Sequence, residues 1–469
     1  MRRISVMLVA LALVSSSCDG LPFGGGGGDE RTILVDYSHD EFASFYLFNF
    51  PKEVSVTPGM KLVFRQTWTG EPHTVTGGTV VDESLGSPLL KFVTAFEALA
   101  GQGVELPNPD GPPTGATVGD AIEAVEDADE NEFRTDFLDA YEELVDAGDA
   151  PDREEAEEVP FGDFVEEIDP KVEEAFTSVP FAFQEEEGPP SLAQNVSQPC
   201  YLDSGTPPED PGTPCRDRDK PEFDGTQTFY NSGIIPYEGA NGNTFEVPLS
   251  DDIAPGNYTF YCAVHGPGQA TKVKVLQEGA DVPSQEDVNR AAREEIDEIS
   301  GPLEEIYQRA VDEGELEVAG EDGEPTTVEG PFAGVFSPEQ DHASINEFVP
   351  KNLTVDRNEP ISWKFFGAEH TVSFGVPRYF PIVQFLEDGE VRLNPQLAGA
   401  AGGAKEAPEQ EGRGVFEVDG GTYDGTGFWS SGLIGAEPYL EYTMRISRPG
   451  TYDFACLIHP PMVGQIEVT

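Results

Sequence analysis

Two separated stretches of this chain carry the same series of motifs in the same order, and that repeat limits the available folds more than any other feature. Phe50-Pro51-Lys52-Glu53-Val54-Ser55-Val56 returns as Val349-Pro350-Lys351-Asn352-Leu353-Thr354-Val355, and Glu71-Pro72-His73-Thr74-Val75 returns as Ala368-Glu369-His370-Thr371-Val372. Asp224-Gly225-Thr226 with Phe229 to Ile235 matches Asp424-Gly425-Thr426 with Phe428 to Ile434. Pro255-Gly256-Asn257-Tyr258-Thr259-Phe260-Tyr261-Cys262 matches Pro449-Gly450-Thr451-Tyr452-Asp453-Phe454-Ala455-Cys456. Ordered matches of this kind imply a duplicated domain. A chain of 469 residues has room for two or three domains at roughly 100–200 residues each.

Within each copy the apolar residues alternate, as in Ile361, Trp363, Phe365 and in Tyr452, Phe454, Cys456. That is the period of half-buried strands, and turn pairs such as Pro58-Gly59 and Pro255-Gly256 punctuate it. Short strands between such turns predict a β-sandwich in each copy. The first copy spans 31–278 with an insertion at about 83–222, and the second spans 329–469 with one at about 377–421. Between 120 and 187 the first insertion holds 27 acids and 3 bases. Phe133, Phe137, Leu138, Tyr141, Leu144 and Val145 keep helical spacing there, which predicts an amphipathic helix laid on a domain. Leu89 to Phe96 suggest another helix, and Ser284 with Asp287 signals the start of a third over roughly 285–312, in a helical linker of 279–328. The Ala/Gly-rich second insertion reads as a loop.

Alternation turns Cys262 and Cys456 toward the interior, each at the end of a strand. Cys456-Leu457-Ile458-His459-Pro460-Pro461-Met462 offers a thiolate, an imidazole and a thioether within seven residues. Soft sulfur with two nitrogens selects copper, and two histidines, one cysteine and a distant axial methionine form the blue-copper arrangement. His370, at the turn after the Ile361–Phe365 run, is the candidate second imidazole.

On these residues the chain resembles the cupredoxins, and Cys456 to Val468 is especially similar to amicyanin and plastocyanin. The resemblance covers 31–80 with 223–276 and 331–376 with 422–469. It implies a mainly β fold of two Greek-key β-sandwiches, and a type 1 copper held by His370, Cys456, His459 and Met462. It also implies that the loop histidine is the exit for electrons, with the His459 ring edge meeting solvent beside Pro460 and Pro461. The first copy has His73, Cys262 and His265 but no methionine: Gly268 takes the register of Met462, and Gln269 one place later offers an amide oxygen as axial donor. An amide there usually lowers the potential, so the two sites would differ. His39 and His342 read as edge or surface residues, and Trp68, Trp363 and Trp429 as core aromatics.

A net charge of −61 repels nucleic-acid phosphates and anionic lipid, which leaves cationic partners or a saline habitat as the readings, and the resemblance implies a redox donor or acceptor as partner. Multicopper oxidases use His-x-His pairs, and oxidases and copper nitrite reductases place a histidine beside the type 1 cysteine. None of the six histidines here is so spaced, and Tyr261, Ala263, Ala455 and Leu457 flank the cysteines. An electron carrier is therefore favoured over an enzyme. Copper storage or delivery, or partner recognition without electron transfer, is the alternative, although the five methionines form no cluster. Arg2, Arg3, the apolar run Ile4–Val14 and Ser15-Ser16-Ser17-Cys18 read as an export signal of 1–18. They resemble a bacterial lipoprotein signal acylated at Cys18, with Ser15 where leucine is usual. The glycine-rich 19–30 would be a tether, which places the protein outside the cytoplasm in the cell envelope, membrane-associated only through lipid. Cys200 and Cys215 flank a Pro/Gly/Asp loop and can close a disulfide in that oxidising compartment.

Overall fold

The computed structural model describes residues 28–67, 69–101, 116–128, 132–178, 183–184, 191–203, 220–235, 243–319, 325–337, 340–366, 370–377, 380–386, 390–398, 416–434 and 440–469. The export signal with Cys18, most of the tether, Trp68 and Cys215 lie outside them. Cys200 is disulfide-bonded. Among the described residues no helix is long and apolar enough to cross a membrane.

The alternating runs form strands. Leu440–Ile446 buries every second side chain, and Pro360–Phe365 buries Ile361, Trp363 and Phe365 while the residues between them are only partly covered. In the first copy a four-stranded sheet runs Thr244–Pro248, Lys61–Gln66, Glu30–Val35, Asn49–Phe50. A six-stranded sheet runs Glu53–Val56, Gly266–Val275, Gly256–Cys262, Thr76–Gly77, Phe229–Asn231, Cys200–Leu202. One buried cluster, with Ile33, Phe64 and Val247 from the first sheet and Val56, Phe260 and Val273 from the second, joins them. The second copy repeats the plan. Its six-stranded sheet contains Pro360–Phe365 and Leu440–Ile446, and its five-stranded sheet contains Gly450–Ala455 and Val463–Val468. Trp363, Tyr442, Phe454 and Ile466 share the core of that pair. Each such side chain contributes about 1.5–3 kcal/mol by leaving water.

The copies are not beads on a string. Strand Ser44–Tyr46 of the first pairs antiparallel with Ala343–Ile345 of the second and becomes the edge of its sheet. A third core lies at this junction, where Tyr46, Phe48 and Phe50 meet Phe332, Val335 and Ile345. Helix Gln285–Glu313 seals it. Ser284 and Asp287 close a reciprocal capping box at its start, as the sequence predicts, and Gly314 ends it in the left-handed region. Its buried stripe of Ala292, Ile296, Ile299 and Leu303 joins the junction core, so the expected linker is a structural element of both copies. A hairpin of Glu315–Ala319 and Pro325–Glu329 follows it within the same span.

Two expectations about the insertions need correction. Helices Pro88–Gly101, Val118–Asp127, Glu132–Ala147 and Phe161–Ser178 pack on one another around Phe92, Ile122, Phe137, Tyr141 and Phe164, so the acidic insertion has its own core. Helical spacing reveals an apolar face but not the face it meets. The second insertion is not simply a loop: Val383–Phe385 and Val391–Leu393 pair as a hairpin, where alternation over only three residues per strand is too short to stand out. Gln194 Oε1 accepts from Val391 N at 2.9 Å, fastening this hairpin to the insertion of the first copy.

Candidate metal centres

Each repeat gathers one cysteine and two histidines into a group whose donor atoms all lie within 4.8 Å of one another: His73, Cys262 and His265 in the first, His370, Cys456 and His459 in the second. In the second group His370 Nδ1 stands 3.0 Å from His459 Nδ1, and Cys456 Sγ stands 3.7 Å from His459 Nδ1. In the first, His73 Nδ1 and His265 Nδ1 are 3.1 Å apart, and Cys262 Sγ is 3.9 and 3.5 Å from them. Both cysteines are buried and free. The three elements involved are the same in each copy: a turn after a sheet strand brings the first histidine, the end of the Gly-Tyr-Phe strand brings the cysteine, and the loop beyond it brings the second histidine.

The backbone holds the sulfurs in place. Thr74 N and Thr371 N point at Cys262 Sγ and Cys456 Sγ, at 3.3 and 3.4 Å. Thr74 Oγ1 and Thr371 Oγ1 accept from Ala263 N and Leu457 N, each at 2.8 Å, locking the residue after each cysteine. The loop of the second copy closes through Met462 N donating to His459 O and Cys456 N donating to Met462 O, both at 2.9 Å, and Met462 is fully buried. In the first copy Gln269 Oε1 lies 3.0 Å from His73 Nδ1 and 2.9 Å from His265 Nδ1, so the glutamine one place past the methionine register aims its amide oxygen into the group.

Charge favours thiolate in both groups. Burial opposes it, but the hydrogen bonds and charge of the neighbouring histidines outweigh burial and hold Cys262 and Cys456 well below the ordinary thiol range. Burial likewise works against charged imidazoles, yet Cys262 and Glu71 push His265 up to about 10, and Cys456 and Glu71 push His459 up to about 9.

The two first histidines part company. The buried Asp36 meets His73 Nε2 at 3.1 Å and accepts further hydrogen bonds from Tyr37 N, Tyr46 N and the Thr69 hydroxyl. Against the pull of burial, Asp36 and Cys262 push His73 up to about 9. His370 Nε2 is buried with no hydrogen-bond partner among the described residues, and burial lowers its pKa. Register explains the difference. Leu34 pairs with Phe50 and Phe332 with Val349, so Asp36 and Gly334 are equivalent positions, both with positive φ (66° and 81°). A Cβ at Gly334 would overlap the His370 ring.

The expected solvent exit at His459 is overturned. Its side chain is fully buried, stacked on Phe45 with ring centroids 5.7 Å apart. A Cβ on Gly70 (φ +120°) would meet His459 Cδ2 at 2.9 Å. Its Nε2 lies 2.7 Å from Glu71 Oε1. The first copy thus covers the ring edge, a packing that no motif within the second copy encodes. Pro460 and Pro461 are exposed, as expected. Trp363 is a core residue and Trp429 donates Nε1–H to Tyr442 Oη at 3.3 Å. His39 stacks on Phe42 and reaches Glu304 at 3.1 Å. The side chain of His342 is outside the described residues. Asp36, Glu71 and Gly334 escaped the motif search because each acts across a contact between distant segments.

No protein-family model matches the chain, and no curated protein matches it. Solved structures give weak likenesses. The Cu(I) form of an amicyanin mutant aligns at 17% identity over 26% of this chain and 73% of its own, with a TM-score of 0.15. Oxidised plastocyanin from Dryopteris crassirhizoma aligns at 19% identity over 26% of this chain and 89% of its own, also at 0.15. At such scores the superposition carries no argument, and the donor atoms have to.

Proposed function

We propose that this chain is an exported copper protein that carries single electrons, with a type 1 site formed by His370, Cys456, His459 and Met462 and a second site formed by His73, Cys262, His265 and Gln269. One observation carries the reading: in each repeat a buried sulfur and two imidazole Nδ1 atoms converge from three separate elements. The donor set fits copper. Thiolate sulfur with two imidazoles is softer than magnesium or calcium sites and lacks the second thiolate usual in structural zinc. Copper bound there supplies a one-electron couple.

The residues of the chain do the rest. Backbone N–H groups aimed at each sulfur, and threonine hydroxyls that pin the following residue, keep the ligands in one arrangement in both oxidation states. Burial excludes water as a ligand. Copper loading would displace the protons that the imidazole Nδ1 atoms share with the sulfurs, so binding should weaken as pH falls. Export, acylation of Cys18 and a Cys200–Cys215 disulfide complete the proposal. A cationic redox protein is the proposed partner, steered by the acid-rich surface.

Purified full-length protein titrated with Cu(II) should bind two coppers per chain, with intense visible absorption and narrow copper hyperfine splitting in EPR. Colourless protein, or copper bound only weakly with a broad splitting, would overturn the proposal. Storage or delivery would instead show ready transfer of copper to a chelator.

Gly334 gives a sharper check on the second site. Gly334→Ala adds a methyl group against the His370 ring at a φ that costs an alanine about 1–2 kcal/mol. The variant should lose roughly 2–5 kcal/mol of stability, read as a lower melting temperature, yet fold and hold one copper per chain, with the spectrum of the first site alone. Two coppers with unchanged spectra would mean that His370 is not a ligand.

A further inference from the structure

We propose that Glu71 joins the two loop histidines, His265 and His459, into one internal path along which an electron passes between the two copper sites; this rests on both sites holding copper. In each group the Nδ1 atoms face the sulfur, so the Nε2 atoms point outward and carry the ring hydrogens. Both outward edges turn to one carboxylate. Glu71 Oε1 is 2.7 Å from His459 Nε2, and Glu71 Oε2 is 3.8 Å from His265 Nε2. The second gap is longer than a direct hydrogen bond and within the span that one water bridges.

The surroundings make this a built junction rather than a surface ion pair. The Glu71 side chain is 17% exposed, His265 14% and His459 fully buried. Removing a carboxylate from water is costly unless its oxygens are satisfied, and here the His459 ring N–H satisfies one oxygen while the His265 ring faces the other. Gln66 Nε2 donates to Glu71 O at 2.6 Å, fixing the backbone, and Glu71 sits two residues from the ligand candidate His73. The exchanged strand Ser44–Tyr46 and the junction core hold the copies in one relation, so the path does not depend on a chance encounter of mobile domains. The bridge occurs once, because the repeat has Ala368 where the first copy has Glu71.

An electron taking this path oxidises one site from Cu(I) to Cu(II) and reduces the other from Cu(II) to Cu(I). No bond is made or broken; Glu71 stays a carboxylate and both rings keep their Nε2 protons. Glu71 is a positioning residue that never touches the metal.

The test uses the full chain loaded with copper. A photogenerated organic radical, acting as one-electron reductant, delivers less than one electron per chain to the Cu(II) protein, and visible absorption follows the redistribution between sites. Single-site spectra from Cys262→Ser and Cys456→Ser separate the two bands. Redistribution should be first order and independent of protein concentration. Glu71→Ala should slow it roughly tenfold or more, the usual range for losing a partner of a metal-ligating histidine. Glu71→Gln, which still accepts from His459, should recover part of the rate. Copper count should stay at two per chain, and the rate is compared after allowing for the rise in the second site's potential that loss of the Glu71 carboxylate from His459 brings. In the diamagnetic Cu(I) protein the His459 Nε2 proton should exchange slowly and lose its protection in Glu71→Ala. A wild-type redistribution rate in Glu71→Ala, or a rate that scales with protein concentration, overturns the bridge while leaving two copper sites standing. Fewer than two coppers per wild-type chain overturns the copper reading itself.

Discussion

Cys456→Ser should strip the second site of its visible band and narrow-hyperfine EPR signal completely, leaving only the spectrum of the first. The colour of such a site arises from charge transfer between thiolate sulfur and Cu(II), and a serine oxygen provides no equivalent. Serine also remains protonated where the thiol does not: His370 and His459 hold Cys456 well below its ordinary range in spite of burial. The substitution therefore removes the soft donor and one negative charge that offsets two buried imidazoles. Copper bound per chain should fall from two to one, or the second should be held so weakly that a mild chelator strips it. The side chains are nearly the same size, and Cys456 lies at the rim of a core carried by Trp363, Tyr442 and Phe454. The far-UV circular dichroism and thermal transition should consequently change little. A blue Cys456→Ser protein with both signals intact would show that Cys456 is not the sulfur ligand.

The parallel substitution Cys262→Ser separates the sites, since it should remove the other spectrum and spare this one. If it changes nothing, the first repeat is not a copper site, whatever its geometry.

The candidate ligand residues were legible because they lie in short local motifs, and the histidines and cysteines among them are written twice. Cysteine, histidine and methionine follow one another in a single loop, and the upstream histidine heads a His-Thr-Val turn that the repeat marks in both copies. Strand alternation likewise announced Ile361, Trp363 and Phe365 as core. What stayed hidden was everything set by contact between distant segments. Asp36 follows an apolar strand like any turn aspartate, and only the pairing of Leu34 with Phe50 shows that it stands opposite His73. Glu71 lies inside a quoted repeat, but its partner His459 is 388 residues away. An isolated second copy would leave the His459 edge bare, which is why the loop motif alone points that ring to solvent. The strand Ser44–Tyr46, only three residues long, reverses that conclusion by carrying Phe45 across to the second copy.

On the proposed Glu71 path, Asp36 should set the direction in which electrons run. A carboxylate on the outer nitrogen of a ligating histidine makes the ring a stronger donor, and it adds negative charge that favours Cu(II) over Cu(I). The first site has this carboxylate and an amide oxygen from Gln269, whereas the second has Gly334 at the equivalent place and Met462 in its loop. Glu71 places a carboxylate near the loop histidine of both sites, 2.7 Å from His459 and 3.8 Å from His265, so Asp36 and the axial donor are what differ; both lower the potential of the first site, and electrons should pass from the first repeat to the second. Asp36→Gly removes the carboxylate while keeping a residue at ease with φ 66°. If the carboxylate favours Cu(II) by ten- to a hundredfold, the potential of the first site should rise by about 60–120 mV, with the second unchanged. Losing the hydrogen bonds to Tyr37, Tyr46 and Thr69 could loosen the local backbone, so Asp36→Asn serves as the companion variant. It keeps a hydrogen-bonding side chain without the charge and should raise the potential in the same sense, by less. Redox titration of the two bands reads both variants. With the gap narrowed, the electron delivered in a pulse should divide more evenly between the sites than in the wild type. Unchanged potentials in both variants would mean that the axial donors alone set the gradient and that Asp36 serves only to hold the turn.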